Sequence, residues 1–329
     1  MTEPSSAAAA LHTPVLLQRC VDLLAPALSE PGSVLIDGTL GMGGHTEAVL
    51  TQCPQVRVIG IDRDPAALEL AGERLERFGD RFTPVHATYD EIDDVAARYA
   101  GGKVQGVLLD LGVSSLQLDD VDRGFSYMRE APLDMRMDTT TGETAADLIA
   151  ELPESELRRI LYAYGEEKFA PRISGALVRA RAIEPVVTST ALADIVRKAV
   201  PMAAQKTGGH PAKRTFQALR IAVNRELEVL EDTMPRAVDV LAVDGRIVVE
   251  SYQSLEDRIV KRELARGVAS SAPRDWPIEP ETHRPYLELL VRGAEKADEA
   301  ELTHNSRSAS VRLRAARKVR PVPDHMRKP

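Results

Sequence analysis

Apolar and polar positions follow two different periods along this chain. Short apolar runs, the mark of strands buried on both faces, recur at Ser33-Val34-Leu35-Ile36, Val56 to Asp62, Phe82 to His86 and Val104 to Leu111. Between them, apolar positions three and four apart predict helices. The first is 14–26, with Pro14 in its first turn, Thr13 as its cap, and Leu16, Leu17, Cys20, Leu23 and Leu24 on one face. Others start at Glu47, run over 65–78 from Pro65, and run over 89–99. Strands alternating with helices predict a parallel sheet wrapped on both sides. Gly245 to Glu250 reads as a fifth strand. Tyr286 to Val291 and Val311 to Ala315 read as two more, the last pair antiparallel.

More than a hundred residues separate strands four and five, and the helical period dominates them, over 154–164, 169–182, 189–200 and 212–230. One crossover helix needs far less chain. The predicted organisation is therefore α/β, a Rossmann-like sheet with an inserted all-helical domain. Residues 11–118 plus 226–317 form the sheet core, and 119–225 form the insertion. Residues 1–10, rich in Ala and Ser, read as a disordered tail and 318–329 as a basic tail. An insertion after strand four leaves the carboxyl edge of the sheet, where open α/β sheets hold their ligands.

Charge adds a second asymmetry. The net charge is −8, yet residues 158–225 carry 13 Lys and Arg against 4 Asp and Glu, and residues 307–329 carry 8 against 1. Basic patches on an acidic protein point to local contact with a polyanion. Cys20 and Cys53 have no neighbouring cysteine, so neither a disulfide framework nor a metal knuckle is expected, which fits a reducing cytoplasm. No apolar run reaches membrane-spanning length, and no membrane partner is expected. His12, His86, His210, His283 and His304 show no metal-ligand spacing, and no metal is expected. GxSxG, P-loop lysine and HExxH motifs are absent from the sequence.

The candidate chemistry sits at the predicted strand ends. Asp37-Gly38-Thr39-Leu40-Gly41-Met42-Gly43-Gly44-His45-Thr46 joins the first strand to its helix. Glycines there allow a sharp turn and close approach to a ligand, and a helix start offers free N–H groups. Asp62 ends the second strand at the place of a carboxylate that accepts both hydroxyls of an adenosine ribose. That ribose belongs to both nicotinamide cofactors and S-adenosylmethionine, so Asp62 does not separate them. Tyr89, just past strand three, is placed to flank an adenine. Asp110-Leu111-Gly112-Val113-Ser114-Ser115-Leu116-Gln117 forms a second polar cluster after strand four. Acceptors there suit an exocyclic amine, whose lone pair is conjugated with its ring. Ser251, Ser254 and Asp257 follow strand five and are expected to face the same crevice.

These stretches together carry a family. The chain resembles the RsmH (MraW) family of bacterial small-subunit rRNA methyltransferases over about residues 11–317. The matching segments include His12-Thr13-Pro14-Val15-Leu16-Leu17, Asp37 to Thr46, Gly60-Ile61-Asp62-Arg63-Asp64-Pro65 and Leu109 to Ser115. They continue through Gln117-Leu118-Asp119, Arg123-Gly124-Phe125-Ser126, Pro132 to Asp138, Tyr164 to Ala170, His210 to Arg220 and Ser254 to Arg258. The resemblance implies a class I methyltransferase core with S-adenosyl-L-methionine as cofactor. It further implies N4-methylation of a cytidine in 16S rRNA, in the decoding region of the small ribosomal subunit. Carried over by motif, Gly43, Gly44 and His45 would hold the methionine end of the cofactor, Asp62 the ribose and Tyr89 the adenine. Asp110 and Gln117 would complete that site. Asp110, Ser114 and Ser115 are the candidates for contact with the amine. Arg158, Arg159, Lys168, Arg172, Lys213, Arg214 and Arg220 are the candidates for holding phosphates. The chain departs from the family at Gln253, where His is common, at Tyr89, where Phe is frequent, and at Leu116, where Pro is common. The alternatives are a non-catalytic cofactor- and RNA-binding factor and an amino-methyltransferase for another nucleic acid. The oligomeric state stays open between monomer and homodimer.

Overall fold

The structure, a computed structural model, describes residues 14–205, 209–273 and 275–327. His12, the cap at Thr13, the tail 1–10 and the last two residues of the basic tail lie outside them. Two compact units form. One runs up to Gly112 and resumes at Leu227, and the other is Val113–Glu226. The sequence-based boundaries were 119 and 225.

The first unit is built on a seven-stranded sheet of order β3-β2-β1-β4-β5-β7-β6. Its strands are β1 Val34–Asp37, β2 Arg57–Asp62, β3 Phe82–His86, β4 Val104–Asp110, β5 Leu241–Ser251, β6 Leu287–Leu289 and β7 Arg312–Lys318. Strands β1 to β5 run parallel, and β7 is antiparallel to both its neighbours. This is the Rossmann-like sheet that the sequence predicts. Successive residues of a strand point to opposite faces, so Leu35 and Leu108 enter one core while Ile36 and Leu109 enter the other. Both faces are covered at the centre, which is why β1, β2 and β4 read as continuous apolar runs; β3, read from the sequence as another, lies at the edge and has no buried residue. Helices Leu17–Leu24, Gly44–Gln52 and Pro65–Leu75 fill one face. Helices Ile92–Ala100, Glu226–Val240 and Ser254–Val268 supply buried residues to the other. The chain order reverses between β1 and β4, so the ends of these strands bound the crevice.

Three features differ from the sequence-based expectation. The opening helix is shorter, Leu17–Leu24, because Leu16 is left-handed at φ 45° and Val15 before it is buried. The expected helix over 212–230 is two, Lys213–Asn224 and Glu226–Val240, broken at Arg225 with φ 51°. Helical periodicity continues across the break, and the break itself comes from tertiary bonds of Asn224 described below. The basic tail starts with a buried residue. Lys318 ends β7, is 3% exposed, and donates from Nζ to the carbonyls of Val238, Asp239 and Leu241 at 3.0, 2.9 and 2.8 Å. It satisfies carbonyls at the end of the helix Glu226–Val240, where a cation also suits the helix dipole. Burial holds its pKa down at about 8. Lys318→Met should lower unfolding stability by roughly 2–4 kcal/mol, because the carbonyls lose their donor without gaining water. The midpoint of a denaturant titration reads this directly, and an unchanged midpoint would contradict the assignment.

Candidate functional site

The glycine loop is held from below by the acid that precedes it. Asp37 is 1% exposed and accepts from Thr46 Oγ1 at 2.7 Å and from the Thr39 N–H at 3.2 Å. Burial pushes its pKa up to about 6. Thr39 Oγ1 in turn accepts the Asp110 N–H at 2.6 Å and ties the loop to β4. Gly43, at φ 76°, is the residue before the helix Gly44–Gln52, and a Cβ there would lie 2.9 Å from Leu75 Cδ1. A Cβ on Gly44 would lie 2.4 Å from Pro14 Cγ. Only glycine lets the turn close against these side chains.

Asp62 is clamped from both sides. Its Oδ2 accepts the Gly41 N–H at 2.8 Å and its Oδ1 accepts the Asp64 N–H at 2.8 Å. The carboxylate is thereby fixed beside the loop, and each oxygen keeps a second lone pair. Burial raises its pKa to about 6. Tyr89 opens a single 3₁₀ turn just after β3, capped by Thr88 and Glu91, and its Cβ lies against Gly38 at the end of β1. A Cβ built on Gly38 would come within 3.3 Å of it.

Asp110 ends β4 half-buried, and Oδ1 accepts from the Tyr252 hydroxyl at 2.8 Å. Burial raises its pKa to about 6, with the tyrosine bond opposing the rise. Sequence reasoning missed Tyr252, although it stands beside the Gln253 departure that was noticed. Gln253 itself is occupied as a cap: Nε2 donates to Glu256 Oε1 at 2.9 Å, in a capping box that opens the helix Ser254–Val268. The expectation that Ser251 and Asp257 face the crevice is corrected. Ser251 is 0% exposed, and Asp257 is enclosed by Arg314 and Arg312 of β7, with Arg314 Nε at 2.7 Å. The ring of His45 is also turned inward, 6% exposed, with Nε2 3.2 Å from the Val15 carbonyl.

The sheet unit thus brings together Gly43, Gly44, Asp62, Tyr89 and Asp110 along its carboxyl edge. Apart from His45, which the sheet unit also holds, the remaining predicted residues belong to the second unit. Ser114 caps the short helix Ser115–Asp119, its Oγ accepting the Gln117 N–H at 3.2 Å while Gln117 Oε1 accepts the Ser114 N–H at 3.1 Å. Gln117 is 4% exposed.

The helices of the second unit enclose a core of their own. Arg123 Nη2 donates to the carbonyls of Met137 and Arg136 at 2.7 and 3.2 Å. Asn224 Nδ2 donates to the Met135 carbonyl at 2.7 Å, and Asn224 Oδ1 accepts the Met137 N–H at 2.8 Å. These bonds pin the loop 132–138 and end the helix Lys213–Asn224. On the surface, Arg172 joins Arg179 and Lys198, which the sequence reading left out, in a groove of about 540 Å³ between helices Ala170–Arg181 and Ser189–Ala199. Seven residues separate Arg172 from Arg179, two helical turns, and that spacing was the available signal. Arg158, Lys168 and Lys213 are exposed. Arg159 is paired with Glu156 at 2.7 Å and Arg214 donates to the Glu166 carbonyl. Arg220 donates to Glu226 through two bonds of 2.8 and 2.9 Å, across the break at Arg225.

Among the described residues, no helix is long and apolar enough to cross a membrane. The family described as "MraW methylase family" matches residues 9–319. "Ribosomal RNA small subunit methyltransferase H" of Beutenbergia cavernae is 71% identical over 323 residues, covering 98% of this chain and 97% of that protein. The protein of the same name from Clavibacter michiganensis subsp. michiganensis is 61% identical over 310 residues, covering 94% and 97%. Likeness of this extent, over the length of both units, places the chain in the MraW methylase family.

Proposed function

We propose that this protein transfers a methyl group from S-adenosyl-L-methionine to the N4 amine of one cytidine of 16S rRNA, in the decoding region of the small ribosomal subunit. Family membership and the names of the relatives support an rRNA methyltransferase. The observation that carries the cofactor reading is Asp62, a carboxylate fixed by two backbone N–H bonds beside the glycine loop, with lone pairs left on both oxygens. That donor set fits an adenosine ribose, and Tyr89 beside Gly38 fits the base. When bound, the cofactor supplies an electrophilic methyl on a sulfonium.

The residues of the chain do the rest by positioning. Gly43 and Gly44 present the start of their helix to the methionine end, and Asp62 accepts from the ribose hydroxyls. Tyr252 holds Asp110 through Oδ1 and leaves Oδ2 to accept a hydrogen of the target amine. With its pKa near 6, Asp110 is ionised at neutral pH and keeps that acceptor role. A hydrogen-bond acceptor at the amine draws it from conjugation with the ring, and positioning of this kind supplies roughly 7–11 kcal/mol of a bimolecular barrier. The roles of His45, Gln117, Ser114 and Ser115 rest on the resemblance.

The second unit would contribute phosphate contacts, with Arg172, Arg179 and Lys198 gathered in one groove. Replacing these three by Ala should weaken binding of the rRNA substrate and reduce the slope of log affinity against log salt by about 2, since each lost single-strand contact removes about 0.7. A slope equal to that of the unaltered protein would remove the groove from the interface. The reaction itself is tested on small subunits from a strain lacking this activity. They are incubated with the protein and methyl-labelled cofactor, and the rRNA is digested for mass spectrometry of the nucleosides. Label on N4 of a single cytidine is the expected result. Cofactor binding without any label would instead favour a non-catalytic binding factor, and label on another base would refute the assigned target.

A further inference from the structure

Beneath the glycine loop lie three side chains that methyl transfer as described leaves without shared work. Cys20 comes from the helix Leu17–Leu24, His45 from the helix Gly44–Gln52, and Glu250 from β5. They are 1%, 6% and 0% exposed. One ligand atom from each, sulfur, ring nitrogen and carboxylate oxygen, lies within 4.8 Å of the other two.

Glu250 is the anomaly. Both its carboxylate oxygens are sealed from solvent and, among the described residues, no nitrogen or oxygen donates to them; the Cys20 thiol is the one polar hydrogen against the carboxylate. An ionised carboxylate in that state is costly, and burial accordingly holds its pKa well above the usual range. His45 shows the complementary crowding. Its Nε2 has the Val15 carbonyl at 3.2 Å and Glu250 Oε2 at 3.5 Å. A single ring nitrogen carries at most one proton, so it cannot satisfy two oxygens facing it. The other ring nitrogen, Nδ1, has Asp110 Oδ2 at 3.8 Å. At that distance the carboxylate makes no hydrogen bond to the ring, and only its charge favours a proton on Nδ1 and a lone pair on Nε2.

We propose that Cys20 Sγ, His45 Nε2 and Glu250 Oε2 form a binding site for a divalent cation of the zinc class, with the Val15 carbonyl within reach as a fourth donor. Thiolate, imidazole and carboxylate together are a zinc-type donor set. The charges close: a thiolate and a carboxylate balance a divalent ion. Binding releases one proton from the Cys20 thiol and one from the Glu250 carboxyl to solvent, with no change of oxidation state. A tetrahedral zinc site with bonds of about 2.0–2.3 Å sets its ligand atoms roughly 3.3–3.8 Å apart, so the cluster needs to contract by at most about 1.5 Å. The ion would join the start of the chain, the helix behind the glycine loop and β5 at one point.

Cobalt(II) is the probe, because its thiolate complex absorbs in the near ultraviolet. The full chain without a histidine tag, freed of metal by chelator, is titrated with cobalt(II) in the absence of cofactor. A charge-transfer band saturating at one cobalt per chain, and bleached by zinc, is the expected result. Cys20→Ser should abolish the band, Cys53→Ser should retain it, and Glu250→Gln should weaken cobalt binding by about tenfold or more. Absence of the band in the unaltered protein overturns the proposal. So does a band that survives Cys20→Ser or is lost in Cys53→Ser. Should Cys20→Ser fail to fold by circular dichroism, the Glu250→Gln titration decides, and unchanged cobalt affinity there refutes the site. None of these readouts depends on methyl transfer.

Discussion

Asp62→Asn is expected to weaken S-adenosylmethionine binding roughly a hundred- to a thousandfold. The carboxylate offers the ribose two charge-assisted acceptors, each worth about 1.5–3 kcal/mol, and a tenfold change in affinity corresponds to about 1.4 kcal/mol. Asparagine keeps the size and loses one acceptor oxygen. Its amide group must also face either the Gly41 or the Asp64 N–H, donor against donor, where the carboxylate now accepts from both. The substitution therefore removes a ligand contact and loosens the loop that frames it. Calorimetric titration measures the affinity, and a loss of less than about threefold would remove Asp62 from the cofactor site.

The same residue sets a pH dependence. Burial raises the Asp62 pKa to about 6, and the ionised form is the one that accepts from the ribose. Cofactor affinity should therefore be level above neutrality and decline as pH falls through about 6. Asp37 and Asp110 are raised to about 6 by the same cause, so the variant serves as the control. If the decline persists unchanged in Asp62→Asn, it belongs to one of those two.

Gly124→Ala should unfold or severely destabilise the second unit, by about 3–5 kcal/mol. Gly124 has φ 72°, a conformation that costs an L-residue roughly 1–2 kcal/mol. An added Cβ would stand 2.2 Å from the Pro132 carbonyl oxygen and 3.0 Å from the Asp134 nitrogen, both backbone atoms that cannot swing aside. Displacing the loop 132–138 breaks the bond from the Met135 N–H to the Arg123 carbonyl and disturbs the pair of bonds from Asn224. Losses of this size come from such compound failures rather than from single contacts. Hydrogen exchange followed by mass spectrometry separates the units: protection should fall across 113–226. A shift in stability below about 1 kcal/mol would show that the loop yields more easily than its backbone contacts imply.

Sequence alone determined the sheet, and for a physical reason. Strands buried on both faces must be apolar throughout, so β1, β2 and β4 announce themselves as runs, and Asp37, Asp62 and Asp110 mark where each of the three ends, whereas β3 at the sheet edge buries no residue fully. The glycine loop was legible because a left-handed turn such as that at Gly43 admits few residues other than glycine. The long helical stretch between β4 and β5 was legible because helices of the second unit keep their own apolar period. Tertiary structure alone decided which polar groups are free to act. Arg220 and Lys213 look alike in a charge count, yet Arg220 is held by Glu226 while Lys213 is exposed. Lys318 looks like the first residue of a basic tail and is instead buried against three carbonyls. Tyr252 acquires its role only when β5 lies beside β4 and brings its hydroxyl to Asp110. The cluster of Cys20, His45 and Glu250 has no spacing to read, because its members come from three elements far apart in the chain. Hydrophobic pattern is a local property, fixed residue by residue by which face is buried. The pairing of polar groups is a property of distance, and distance between remote residues exists only once the chain has folded.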